Sequence, residues 1–218
     1  MKKIMFNDKY GLTAAVLSGK KTMTRRIIKA PRRTIEGKEV CGFAINKTSD
    51  GVPYEVWLTG PDEESLCQLL PTYTVGEIVA IAQSYESMAN GGYLDRMTVP
   101  ADNAVGFEFK LEYCGGGYKN KMFVAADLMP HRIRITDIKV ERLQDISNED
   151  CLKEGIQKKS YFPLKPAFPY YFEGGKHRWD NSFSTPRKAF AALIDKVSGK
   201  GTWESNPWVF AYSFELIK

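Results

Sequence analysis

The stretch "RIRITDIKVERL", residues 132 to 143, constrains the fold of this 218-residue chain more than any other. It alternates apolar with polar residues as a half-buried strand does. Its phase changes midway, however: Ile133 and Ile135 take odd positions, Ile138 and Val140 even ones. Successive side chains of a strand point to opposite faces, so an undistorted strand would turn one of those pairs to water. A strand that keeps both pairs inward must bulge or bend near Thr136 and Asp137, a device found at barrel corners. The end of the chain, "NPWVFAYSFELI", alternates Trp208, Phe210, Tyr212, Phe214 and Leu216 without a break and predicts a terminal strand.

Around these two strands the spacing predicts an α+β chain. "KIMFND" reads as a short first strand, and Asn7 or Asp8 caps a helix through about Ser18, with Gly19 in the left-handed position that ends it. Residues 21 to 28 read as extended, with Thr22, Thr24 and Arg26 on one face, Met23, Arg25 and Ile27 on the other, and Lys21 at the turn. "TVGEIVAIAQSYE" (74 to 86) and "VGFEFKLEYC" (105 to 114) are further strands, and the polar stretch between Ala30 and Thr74 holds one strand in "YEVWL" and a short helix at "EESLCQLL". Ser147 caps a helix that Gly155 ends, which leaves Glu154 in the last turn, the wrong end of the helix dipole for a carboxylate. Ser184 or Thr185, with Pro186 behind it, opens a helix whose stripe is Ala189, Phe190, Leu193, Ile194 and Val197. Five or six strands with helices at the connections suit a small mixed β-barrel with appended helices.

Composition narrows the chemistry. No apolar run has the length of a signal peptide or a membrane span, so a cytoplasmic location away from membranes is expected. Cys41, Cys67, Cys114 and Cys151 are scattered and only His131 and His177 accompany them, so neither a metal site nor a disulfide framework is expected, and no cofactor is implied. GxSxG, GxxxxGK[ST], GxGxxG after a strand and HExxH are all absent.

The charge is unevenly placed. Lys20, Lys21, Arg25, Arg26, Lys29, Arg32 and Arg33 bring seven positive charges to a stretch without acids; against a net charge of +5, the rest of the chain carries 5 − 7 = −2. Such a run is either a solvated face or a surface for an anionic, phosphate-bearing partner. It also holds a possible reactive set. A threonine hydroxyl such as that of Thr24 attacks only when a base takes its proton, and Lys21 serves if burial or the neighbouring cations lower its pKa. A carboxylate beside Lys21 would oppose that lowering. Residues 157 to 183 are dense in aromatics and proline, and Tyr161, Phe162 or Trp179 would either stack on a base or pack as an ordered flap.

Four segments together carry a family resemblance: "IMFNDKYGLTAAVLSGKKTMTRR", "VGEIVAIAQSY", "MPHRIRITDIKVERLQDISNEDCLKEGI" and the terminal "NPWVFAYSFELI". The chain resembles the ASCH domain family, whose fold is PUA-like, and is most similar to the longer members found in phages and prophages; the likeness spans residues 4 to 28, 74 to 86, 122 to 156 and 186 to 217. It implies one PUA-like β-barrel domain over 1–218, with insertions at about 30–73, 87–121 and 157–183 that the small family members lack. Those small members hydrolyse N(4)-acetylcytidine to cytidine and acetate with a lysine, a threonine and a glutamate. Matched by motif, these are Lys21, Thr24 and Glu154. Arg26 would meet a phosphate or steady an oxyanion, with Lys20, Arg25, Lys29 and Trp179 as further substrate or phosphate contacts. The resemblance equally implies a non-catalytic module that binds RNA or a modified nucleotide. Many phage-type relatives carry a glutamate at the end of the "VGEIVAIAQSY" strand, where this chain has Gln83 or Ser84.

Overall fold

A computed structural model of the protein describes residues 1–90, 119–159, 167–174 and 180–217. The expected strand at 105–114 and the aromatic residues Tyr161, Phe162 and Trp179 lie outside the described residues.

In chain order the described elements are β1 (Lys3–Ile4), a 3₁₀ turn (Asp8–Tyr10), α1 (Leu12–Leu17), β2 (Met23–Ile27), β3 (Thr34–Ile35), β4 (Lys38–Glu39), β5 (Gly42–Lys47), β6 (Pro53–Thr59), β7 (Ser65–Gln68), β8 (Ile78–Ile81) and α2 (Tyr85–Asn90). After the first undescribed segment come β9 (Arg132–Arg142), α3 (Asn148–Lys153), the short strands β10 (Gln157–Lys158), β11 (Tyr170–Tyr171) and β12 (Ser182–Phe183), then α4 (Pro186–Ser198), α5 (Thr202–Ser205) and β13 (Trp208–Ile217). None of the helices is long and apolar enough to cross a membrane among the described residues.

The principal sheet runs β1-β8-β9-β13-β2, with β1 parallel to β8 and the other neighbours antiparallel. Its spine is the pair β9–β13. Asp137 stands opposite Ser213 and Ile135 opposite Phe214, so Thr136 is the extra residue of a bulge, at the place where the sequence changes phase. The bulge lets Ile133 and Ile135 be fully buried before it and Val140 be buried after it.

Among the described residues the ladder is open, with β1 and β2 as its two edges. The chain just after β1 meets β2 through a side chain, with Arg26 Nη2 donating to the Met5 carbonyl at 2.6 Å.

"EESLCQLL" is β7 rather than a helix; Leu58 pairs with Cys67 and Trp57 with Gln68. The reason is tertiary. β6 buries Val56 and Leu58, and β7 supplies backbone partners for its second edge, which local helix preference cannot do. The helix reading from Ser184 or Thr185 holds: Thr185 accepts from the Lys188 amide, Pro186 opens α4, and Ala189, Phe190, Leu193 and Ile194 are buried while Val197 remains partly exposed. One core joins α4, α1 and the Val79–Ile81 face of β8 to the β9–β13 pair, and Ala80 on the other face packs with Met88, Val124 and Met129 in a second, smaller cluster.

Candidate functional site

The site begins at a helix end. Gly19, with φ at +72°, closes α1 with its amide on the Val16 carbonyl, while the amides of Lys20 and Lys21 both reach the Ala15 carbonyl at 2.9 Å. This is the double bond pattern by which a glycine ends a helix and reverses the chain. The chain then enters β2, with Lys21 immediately before the strand.

A second helix end meets it there. Ser147 Oγ accepts from the Asp150 amide at 3.0 Å and starts α3, and Glu154 is the residue just past its last turn. The last carbonyls of a helix have no partner within it. In α3 they are taken by the start of β2: the Thr22 amide donates to Lys153 O at 2.8 Å, and Lys21 Nζ donates to Glu154 O at 2.7 Å. Gly155 follows with φ at +103°, and a Cβ there would stand 3.2 Å from Leu12 Cδ2 and 3.6 Å from the Lys21 stem. Only a residue without a side chain lets α1, α3 and Lys21 come this close.

Lys21 Nζ also donates to Glu154 Oε2 at 2.6 Å, with the two side chains 2% and 6% exposed. The carboxylate placed against the dipole of its own helix is therefore held by cations of β2. Arg25 Nη1 donates to the other oxygen, Oε1, at 3.0 Å. Behind Arg25 stand Glu141 of β9, which accepts from Nε at 2.8 Å and lies 2.7 Å from Nη2, and Asp150 of α3, 3.6 Å from Nη2. The Arg25 side chain is 1% exposed. This corrects the expectation that Arg25 meets solvent or phosphate: three carboxylates take its guanidinium, because an Arg buried this deeply must be paired.

Burial pushes the Lys21 ammonium below its usual range; Glu154 opposes this through its charge and its hydrogen bond, and the positive charges of Arg26 and Arg25 add to the lowering. Desolvation thus wins the contest that the sequence leaves open. The Phe6 ring lies beside the amine, 5.8 Å from Nζ to its centroid. For Arg25 the balance is the reverse: burial pulls its pKa down, but Glu154 and Glu141 outweigh it and the pKa is raised.

Lys21, Thr24, Arg25, Arg26, Lys29 and Glu154 all line one cavity of about 710 Å³, a size suited to a small organic ligand. Thr24 and Arg26 line it from one face of β2, and Arg25 and Ile27 of the other face reach it as well. Arg26 is anchored on the Met5 carbonyl with its guanidinium carbon 6.0 Å from the Phe6 ring centroid, and Lys29 is exposed at the cavity edge. Lys20 is exposed on the turn and is not among the lining residues. Trp179 lies outside the described residues. Gln83 is buried at the end of β8, its amide on Met129 Sδ at 3.3 Å, away from this cavity.

Several contributors carry no local sequence signal. Phe6 and Lys9 come from the turn after β1, Lys121 from the long insertion, and Phe190, Leu193 and Ile194 from α4. Lys121 bonds the Phe6 carbonyl and Asp8 Oδ2 and so ties the insertion to the cavity wall. The apolar stripe of α4 reads from sequence as core; that part of it also faces a cavity depends on what α4 is packed beside.

No family model, curated protein or solved structure matches the chain.

Among the described residues no three His, Cys, Asp or Glu side chains gather to hold a metal ion. Burial raises the Cys151 thiol to about 12, so it is not a nucleophile at neutral pH. What the cavity offers is a buried amine with a weakened hold on its proton, a hydroxyl in the same space, a carboxylate pinned by two cations, and Arg26 and Lys29 for an anion.

Proposed function

We propose that the chain hydrolyses an acylated or otherwise modified nucleobase or nucleoside, N(4)-acetylcytidine being the first substrate to test, in an ASCH-type cleft of PUA-like ancestry. The observation that carries this reading is the buried contact between Lys21 and Glu154, residues 133 positions apart, in the cavity that Thr24 lines. A lysine with a lowered pKa gives up its proton more readily than a free one and can then serve as a base.

Neutral Lys21 takes the proton of the Thr24 hydroxyl as Oγ1 bonds to the acyl carbon. The C–N bond to the nucleobase breaks, and Lys21 returns the proton to the departing nitrogen. An ester on Thr24 remains. Water then attacks the ester with Lys21 again taking a proton, the ester C–O bond breaks, the proton passes to Thr24 Oγ1, and the free acid leaves. Arg26 meets a phosphate of the substrate or the negative oxygen of the tetrahedral intermediates.

The test is release of acetate from N(4)-acetylcytidine, followed by proton NMR. Thr24→Ala and Lys21→Ala abolish turnover while leaving ligand binding in place; loss of a general base alone accounts for about 10²- to 10⁴-fold. A wild-type chain that releases no acid from N(4)-acetylcytidine, its 5′-monophosphate or related acyl nucleosides overturns the reading.

A second reading has its own support. Lys9, Arg26, Lys29 and Lys121 all line the cavity, and a non-catalytic module that holds RNA or a modified nucleotide would use the same cations on phosphates.

A further inference from the structure

Each oxygen of Glu154 is assigned to a different cation, and only one of those cations can give up a proton. Oε2 belongs to Lys21 at 2.6 Å and Oε1 to Arg25 at 3.0 Å. Arg25 cannot adjust to a change on Glu154. Its Nε is held by Glu141, its Nη2 lies between Glu141 and Asp150, and its side chain is 1% exposed. A guanidinium is planar and stays charged at any pH a folded protein meets, so its fork fixes the carboxylate it binds.

We propose that Arg25 is a positioning residue that holds the Glu154 carboxylate stationary throughout the reaction, so that Glu154 orients Lys21 and Lys21 alone carries the proton. The inference rests on the hydrolase reading above and decides between two roles for Glu154, orienting the lysine or activating the water that cleaves the Thr24 ester.

Bonding capacity supplies the argument. For Glu154 to activate water, one of its oxygens must accept a proton. That proton would remove the negative charge against which the Lys21 ammonium is buried at 2.6 Å. Lys21 meets no such conflict. An ammonium has three N–H groups, and two of them go to Glu154 O and Glu154 Oε2. Loss of the third leaves both bonds intact and exposes a lone pair. Arg25 acts on this proton directly as well, since a like charge beside Lys21 disfavours its ammonium form. The charged groups that act on Lys21 are Glu154 from α3 and Arg25 and Arg26 from β2; those around Arg25 are Glu154, Asp150 and Glu141.

The experiment has two arms on the full chain. In the first, the Lys21 side chain is titrated by NMR, assigned by loss of its signal in Lys21→Met, for the wild type and for Arg25→Met, Arg25→Lys and Glu141→Gln. Arg25→Met raises the Lys21 pKa, because a like charge beside the amine is removed. Arg25→Lys, which keeps the charge without the fork, raises it less, and Glu141→Gln keeps the assay open should Arg25→Met not fold. An Arg25→Met chain in which Lys21 titrates at or below the wild-type value overturns the proposal.

In the second arm, Glu154→Gln is mixed with N(4)-acetylcytidine and examined by intact-mass spectrometry. The proposal expects slowed turnover with no acetyl group resident on Thr24, because water activation does not need the carboxylate. Accumulation of acetylated Thr24 would make Glu154 the base for deacylation and overturn it. The two readings fail separately: no turnover by the wild type counts against the hydrolase, while wild-type turnover with an acetylated Glu154→Gln chain counts against this role of Arg25.

Discussion

Lys21 is the residue at which stability and chemistry pull in opposite directions. An ammonium 2% exposed costs folding free energy that a surface lysine does not, and Glu154 offsets only part of it. The sign follows from linkage. Between its lowered pKa in the folded chain and 10.5 in the unfolded chain, the unfolded chain binds a proton that the folded chain does not, so stability contributed at Lys21 rises with pH across that window. The unfolding free energy of the wild type relative to Lys21→Met therefore moves in favour of the wild type as pH rises, measured by denaturant titration at matched pH values. If Lys21 is the base of the proposed hydrolysis, acetate release shares the titration, its rate climbing with pH as Lys21 becomes neutral and levelling off below pH 10.5. At this scale the sequence placed Thr24 and Arg26 on one strand face, and both line the cavity. It misplaced Arg25, because alternation says which way a side chain leaves a strand and nothing about the carboxylates that wait there.

Among the elements, β9 depends most on a single residue, Thr136. Thr136 is unpaired at the bulge, and its presence lets both halves of the strand face the core. Deleting Thr136 removes the bulge and forces one half to turn outward. If that half carries Ile133 and Ile135, two fully buried side chains worth about 1.5–3 kcal/mol each are exposed, so the deletion costs at least about 3 kcal/mol. Replacing Thr136 by Ser keeps the residue count and changes stability far less; thermal unfolding of the two variants checks the difference. The bulge was legible because a change of phase inside one hydrophobic pattern has few other physical meanings. β7 was not, since "EESLCQLL" takes its form from pairing with β6, and nothing within eight residues records which edge is free.

For the whole molecule, the seven cations between Lys20 and Arg33 do not form one surface. Lys21 and Arg25 are buried against carboxylates of α3 and β9, Arg26 and Lys29 line the cavity, and Lys20, Arg32 and Arg33 are exposed. Binding of an anionic nucleotide or RNA in the cavity should therefore weaken with added salt, and Lys29→Ala should reduce the slope of log K against log salt by about one, whereas Lys20→Ala changes it less. Fluorescence anisotropy with a labelled oligonucleotide over a salt series measures this, and an affinity indifferent to salt contradicts it. The sequence by itself determined the strands β2, β9 and β13, the bulge, the caps at Ser147 and Thr185 and the local excess of positive charge, because each depends on spacing within a few residues and on backbone geometry. Tertiary structure alone decided that Phe6 and α4 help wall the cavity and that Glu154 meets Lys21 and Arg25 from far along the chain. Burial and ion pairing depend on which elements pack together, and that is what turned a run of like charges into a buried ion network beside a cavity.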